Sequence, residues 1–235
     1  MIPLVLFGAD PQVPAMSFNL AAPETPEQVV GSLNVLLMLT VLFLAPSLVL
    51  VMTTFTRFVI VFGFLRQALG TQQVPPTQIL VMLAMILTVF VMEPVAHKAY
   101  EEGIKPYGEK RIAYDEAFEK TTEPFKNFMI RNTREKDLAL FLRIRHMQNP
   151  QTVRDVPLTI VIPAFVISEL KTAFEIGFLL FLPFLVIDMV VASVLMSMGM
   201  MMLPPVMVSM PFKILVFIMV DGWNLLVGNL IASVK

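Results

Sequence analysis

Apolar and polar positions in this chain fall into blocks far longer than a single helical turn. From Gln28 to Thr56 there are 29 residues without Asp, Glu, Lys or Arg, and from Gln67 to Met92 there are 26. A bilayer-spanning helix needs about 20 residues, so both runs are long enough. Pro46 sits inside the first run and predicts a kink there. Residues 66–76 between them read as a connector. Gly70 is a candidate helix stop, and Pro75-Pro76 opens a helix expected over 77–96.

The pattern then changes. Residues 93–155 carry 23 of the 35 charged residues, 12 basic and 11 acidic. Phe118, Phe125, Phe128 and Met129 recur at helical spacing, as do Leu138, Phe141 and Leu142. Two amphipathic helices are expected, over 114–131 and 134–147, the second ended by Asn149-Pro150. From Val156 the chain is apolar again. These blocks divide it into an irregular, proline-broken segment over 1–32, a first helical hairpin over 33–99, a charged helical insertion over 100–155 and a second hairpin over 156–235. The predicted fold class is all-α and membrane-associated, with two long helical hairpins and a charged α-helical extracytoplasmic insertion between them. Arg57 and Arg66 flank the first connector and Lys213 flanks the second, so the positive-inside rule assigns both connectors to the cytoplasm.

The second hairpin is not uniformly apolar. Glu169, Lys171, Glu175, Asp188, Lys213 and Asp221 are set within it. A charge at the bilayer centre costs about 2.5–3.5 kcal/mol, so these residues must pair, face water or lie outside lipid. Lys171 and Glu175 are four apart and can meet on one helix face. A straight hairpin turning at Pro204-Pro205 would bring Asp188 level with Asp221 and Lys213 level with Met196. Two carboxylates at one depth raise an intramembrane aspartyl protease, in which a dyad shares a proton. The flanking residues, Val186-Ile-Asp-Met and Val220-Asp-Gly-Trp, do not resemble the motifs of that class. Glu169 and Lys213 lie far apart along such a hairpin. Their pairing would require a fold-back at Pro183 or a second subunit.

The tip of this hairpin is rich in methionine. Eight of the 18 methionines fall between Met189 and Met210. Methionine is unbranched and polarizable, and it re-packs at low cost. Gly199 and Pro204-Pro205 disfavour continuous helix here. A soft apolar loop of this kind suits a closure that must also open, and it equally suits ordinary packing of helix ends.

Composition narrows the chemistry further. The chain is 57% hydrophobic and 15% charged, against about 25% charged in soluble domains. Its net charge of -1 offers no electrostatic footprint for nucleic acid. Absence of cysteine removes disulfides, thiolate metal sites and thiol catalysis. The two histidines, His97 and His146, form no zinc-binding motif. No cofactor is expected.

Four stretches resemble the FliP family of flagellar export-gate proteins and their injectisome counterparts in type III secretion. They begin at Met52-Thr-Thr-Phe-Thr-Arg-Phe-Val-Ile-Val, Leu65-Arg-Gln-Ala-Leu-Gly-Thr-Gln-Gln-Val-Pro-Pro76, Pro163-Ala-Phe-Val-Ile-Ser-Glu-Leu-Lys-Thr and Ile187-Asp-Met-Val-Val-Ala-Ser-Val-Leu-Met. The last runs through Met200-Met-Met-Leu-Pro-Pro205 to Pro211-Phe-Lys and Val220-Asp-Gly-Trp223. The resemblance implies a non-enzymatic core subunit of a protein export gate in the bacterial inner membrane, at the flagellar basal body. It implies a homo-oligomer of about five copies that forms, with FliQ and FliR, a helical cone around a central pore, joined by FlhB-like and FlhA-like subunits, that passes unfolded flagellar substrates. It implies a methionine gasket at Met200, Met201 and Met202, with Met198 and Met196 beside them. It further implies that much of the assembled gate lies on the periplasmic side, with apolar surface buried between subunits rather than against membrane lipid. Under it, Glu169 and Lys213 are a candidate intersubunit ion pair. The alternative reading is an ion or small-solute channel or transporter subunit, which would need polar ligands converging on broken helices.

Overall fold

The computed structural model describes residues 26–71, 73–147, 155–200 and 202–234. It divides into two compact units, residues 1–44 and 45–235. The described residues are helical, with no strand among them. In the first unit lies most of helix α1 (Pro26–Val51), whose residues 31–51 are long and apolar enough to cross a membrane. The helix passes Pro46 and ends before Met52–Thr54, where the chain turns.

The second unit is built around α2 (Phe55–Ala68). Phe58, Val61, Phe62, Leu65 and Ala68 recur at three- and four-residue spacing and are fully buried. They pack against Leu80 and Ala84 of α3 (Thr77–Ala99), and against α7 (Leu158–Ser197), α8 (Pro205–Met219) and α9 (Gly222–Ala232). In a bilayer such contacts replace lipid tails rather than water, so close fit holds them more than transfer from water does. The fit is visible at Gly177 of α7. A Cβ there would run into the Phe64 ring of α2, so glycine permits this approach.

Helix α3 starts at the residue after Pro75-Pro76 and leads through a π-helical turn, Tyr100–Ile104, into the short α4 (Lys105–Gly108). The charged insertion supplies α5 (Tyr114–Asn132) and α6 (Glu135–Ile144), close to the two helices the periodicity predicts. Phe128, Met129 and Leu142 join Met92, Ile160, Val161 and Phe165 in a second core. The insertion is thus packed onto α3 and the first half of α7.

Helix α7 runs unbroken for 40 residues, through both Pro163 and Pro183. No fold-back occurs at Pro183. At about 1.5 Å per residue it is about 60 Å long, twice the hydrocarbon thickness of a bilayer. The half that bears Glu169, Lys171 and Glu175 packs on α5 and α6. The remaining stretch to Ser197 is the length of one span.

Candidate functional site

The α7–α8 connection is made by the backbone before its side chains matter. Gly199 adopts φ +78, which an L side chain resists. Its N–H donates to Met196 O at 3.0 Å, and the Met200 N–H donates to Leu195 O at 3.0 Å. This paired arrangement is a Schellman motif, and it stops α7 at Ser197. Pro204 and Pro205 then start α8. Between the helices, Met200 is 40% exposed and Met202 is 98% exposed. Met196 and Met198 are also exposed. Met201 lies outside the described residues. The loop is non-helical at residues 198–200 and 202–204.

Below this tip the arms are tied by charge. Lys213 Nζ donates to Asp188 Oδ2 at 2.6 Å, and Ser209 Oγ donates to Asp188 Oδ1. Ser209 and Lys213 are one turn apart on α8 and meet a single α7 carboxylate. Lys213 is 1% exposed. The register differs from a hairpin turning at Pro204-Pro205. Because α7 ends at Ser197, the turn centres near residue 201, and Asp188 faces Ser209 and Lys213 instead of Asp221. Asp221 lies eight residues beyond Lys213, about 12 Å further along a helix. There it occupies a left-handed conformation, φ 52, at a 66° bend between α8 and α9, exposed and accepting from Asn224 Nδ2 at 3.1 Å. The two aspartates do not form a catalytic dyad.

A second tie is buried deeper. Arg57 of α2 donates through Nε to Glu169 Oε2 at 2.8 Å and through its second terminal nitrogen to Glu169 Oε1. The remaining terminal nitrogen donates to Ser233 O at 2.8 Å and Ser233 Oγ at 2.9 Å. Arg57 and Glu169 are 2% and 0% exposed. This corrects the reading of Arg57 as a flank of the first connector: it belongs to the core. The structure does not bring Glu169 and Lys213 together within the chain, since each has another partner.

The third tie fixes the insertion. Arg134, at the N-terminus of α6, gives its backbone N–H to Ser168 Oγ at 3.0 Å, and that hydroxyl donates to Asp137 Oδ2 at 2.7 Å. A serine on α7 therefore caps α6 from outside. The Arg134 side chain reaches Glu175 Oε1 at 3.0 Å, and this hydrogen bond holds the guanidinium pKa above its usual value. Glu175 thus faces Arg134, while Lys171 is exposed. Nothing local in the sequence marks Ser168 or Arg134 as partners. No group of three His, Cys, Asp or Glu suited to a metal occurs among the described residues.

The FliP family model matches residues 38–230. The flagellar biosynthetic protein FliP of Bacillus subtilis is 54% identical over 215 residues, covering 92% of this chain and 97% of that protein. The Caulobacter vibrioides protein of the same name is 54% identical over 196 residues, 83% of this chain and 74% of the relative. That of Pectobacterium carotovorum is 50% identical over 202 residues, 86% and 78%. With the all-α architecture and its membrane-length helices, these matches place the chain in the FliP family, as a membrane component of the flagellar protein export apparatus.

Proposed function

We propose that this chain is a core subunit of the flagellar type III export channel and that its Met198–Pro204 loop seals that channel. Copies of the chain, about five, assemble with FliQ and FliR into a helical cone around a central pore, and FlhB-like and FlhA-like subunits join them. The complex sits in the inner membrane, with much of its mass on the periplasmic side. The observation that carries the reading is a contrast between regular arms and an irregular tip. Two helical arms are locked by Asp188, Ser209 and Lys213, and they present an irregular tip whose exposed side chains include Met198, Met200 and Met202 beside Leu203. A ring of thioethers excludes water and ions when closed. It yields to a passing chain because methionine has three rotatable bonds and no fixed shape requirement.

The chemistry is mechanical and electrostatic, with no bond made or broken by the protein. Glu169 and Lys213 serve as internal struts. A switch of Glu169 to the Lys213 of another copy would strand Arg57 and Asp188, and the gate reading does not require it. The test is a complex carrying alanine at 200, 201 and 202. Assembly and subunit content should match wild type, while ion leakage across the membrane should rise. Unchanged leakage in a complex of normal composition would remove the gasket.

A further inference from the structure

The chain has 18 methionines and no cysteine, so thioethers are its only sulfur and the first groups a two-electron oxidant attacks. Their positions sort them. Met92 and Met129 are buried in the second core. Met82, Met189 and Met219 are exposed on apolar faces of α3, α7 and α8, which the gate reading places against neighbouring subunits. Met196, Met198, Met200, Met202 and Met207 gather at the α7–α8 tip instead. All five are exposed, and Met202 makes almost no contact with the rest of the chain.

The tip also lacks hydrogen-bond donors. From Met198 to Val208 no side chain carries an N–H or O–H. The hydroxyls that flank this stretch are engaged: Ser197 Oγ donates to Val194 O at 2.8 Å, and Ser209 Oγ donates to Asp188 Oδ1. An apolar thioether suits such surroundings. A sulfoxide turns the same side chain polar, and its oxygen finds no side-chain donor there. Only water or a free backbone N–H can satisfy it. Burying one polar group without a partner shifts an equilibrium by roughly tenfold or more. Each sulfoxide at a closed tip therefore favours a hydrated, open arrangement.

We propose that oxidation of the tip methionines to sulfoxides unseals the channel, which makes the loop a reversible, oxidant-sensitive switch. This rests on the loop being the seal, and it names a chemical event that opens it without substrate. The oxidant is hypochlorous acid, a small two-electron species. The sulfur lone pair attacks its chlorine and hydroxide leaves. Water then adds to the chlorosulfonium, chloride departs and two protons are released. Sulfur loses two electrons and gains one oxygen, and the chlorine ends as chloride. The seal stops flow through the pore, yet its outer side meets the periplasm, which is an oxidising compartment. A methionine sulfoxide reductase reverses the step.

The test uses the assembled complex in vesicles of saturated phosphatidylcholine, treated with limiting hypochlorous acid and quenched with free methionine. Ion leakage is read beside peptide mass spectrometry of each methionine. In wild type the tip methionines should gain oxygen before Met82, Met189, Met92 and Met129, and leakage should rise roughly tenfold over the untreated complex. Methionine sulfoxide reductase with its thiol reductant should return leakage to the untreated level. Met196→Leu, Met198→Leu, Met200→Leu, Met201→Leu, Met202→Leu and Met207→Leu together keep apolar bulk without sulfur. Whatever the resting leakage of that variant, treatment should not raise it. Tip sulfoxides with unchanged leakage would overturn the switch. So would tip methionines that stay reduced while Met82 and Met189 oxidise, or an equal rise in the leucine variant. The alanine triple at 200, 201 and 202 keeps the two readings apart. If it leaks while oxidised wild type does not, the seal stands and the switch fails; if neither leaks, the gasket itself fails.

Discussion

Replacing Glu169 with alanine should be among the most damaging single changes in the core. The carboxylate accepts two of the four hydrogen bonds made by Arg57, and it is the only counter-charge the described structure gives that guanidinium. Removing it leaves a 2% exposed cation facing only the hydroxyl and carbonyl of Ser233. Breaking one side of a buried pair costs about 3–5 kcal/mol, which is roughly two to four orders of magnitude in the folding equilibrium. The double variant Arg57→Leu with Glu169→Leu removes both charges together. It should cost less, about 1–3 kcal/mol, mainly because the Ser233 carbonyl loses its donor. The exposed Glu175→Ala change at Arg134 should cost under about 1 kcal/mol, although the two pairs have the same chemistry. Unfolding of the purified chain in neutral detergent, titrated with a denaturing detergent, reads all three. A folded Glu169→Ala chain within about 1 kcal/mol of wild type would refute the strut, as would a double variant weaker than the single one.

Other consequences follow from contacts already described. Ser168→Ala removes the external cap of α6 and should cost about 1–2 kcal/mol. Hydrogen exchange should quicken in 134–144 before it does in α2. Gly177→Ala forces a Cβ into Phe64 and should cost about 1–3 kcal/mol through overpacking, seen as a lowered melting temperature. Lys213→Met should be tolerated better than Asp188→Asn. The first leaves a 23% exposed aspartate that water can reach, and the second strands a cation at 1% exposure. Relative yields of folded chain check the order.

Local signals in the sequence account for the parts that were legible. The α3 start at Thr77 follows from Pro75-Pro76, and α5 and α6 follow from phenylalanine and leucine at helical spacing. Long-range pairing was not legible. Arg57 reads as the end of an apolar run because a linear scan treats charge as a boundary, and its partners lie 112 and 176 residues away. Asp188 was set against Asp221 by assuming that the two prolines mark the apex. The backbone instead turns early, because Gly199 accepts a left-handed conformation and closes a Schellman motif. A glycine two residues past an apolar helix end was the available signal. Pro163 and Pro183 look like breaks, yet α7 passes through both and its packing on α2, α5 and α6 holds it continuous. Of the proposed seal, the methionine density at a loop was visible in the sequence, and the exposure of Met200 and Met202 came from the structure. The proposed facing of these side chains toward a shared axis would be a property of several copies, which no single sequence encodes locally.

The absence of cysteine from the chain allows the most direct test of that shared axis. A single Met202→Cys substitution places one thiol at the 98% exposed tip of the loop. In the assembled closed complex, a short bifunctional thiol reagent should join copies of the chain through position 202. With an export substrate stalled in the channel and carrying its own cysteine, the same thiol should cross-link to the substrate instead. A control thiol at Ile79, on the exposed face of α3, should do neither with the substrate. Copies that assemble normally yet give no cross-link at 202, to one another or to the stalled substrate, would contradict a methionine loop that lines the export channel.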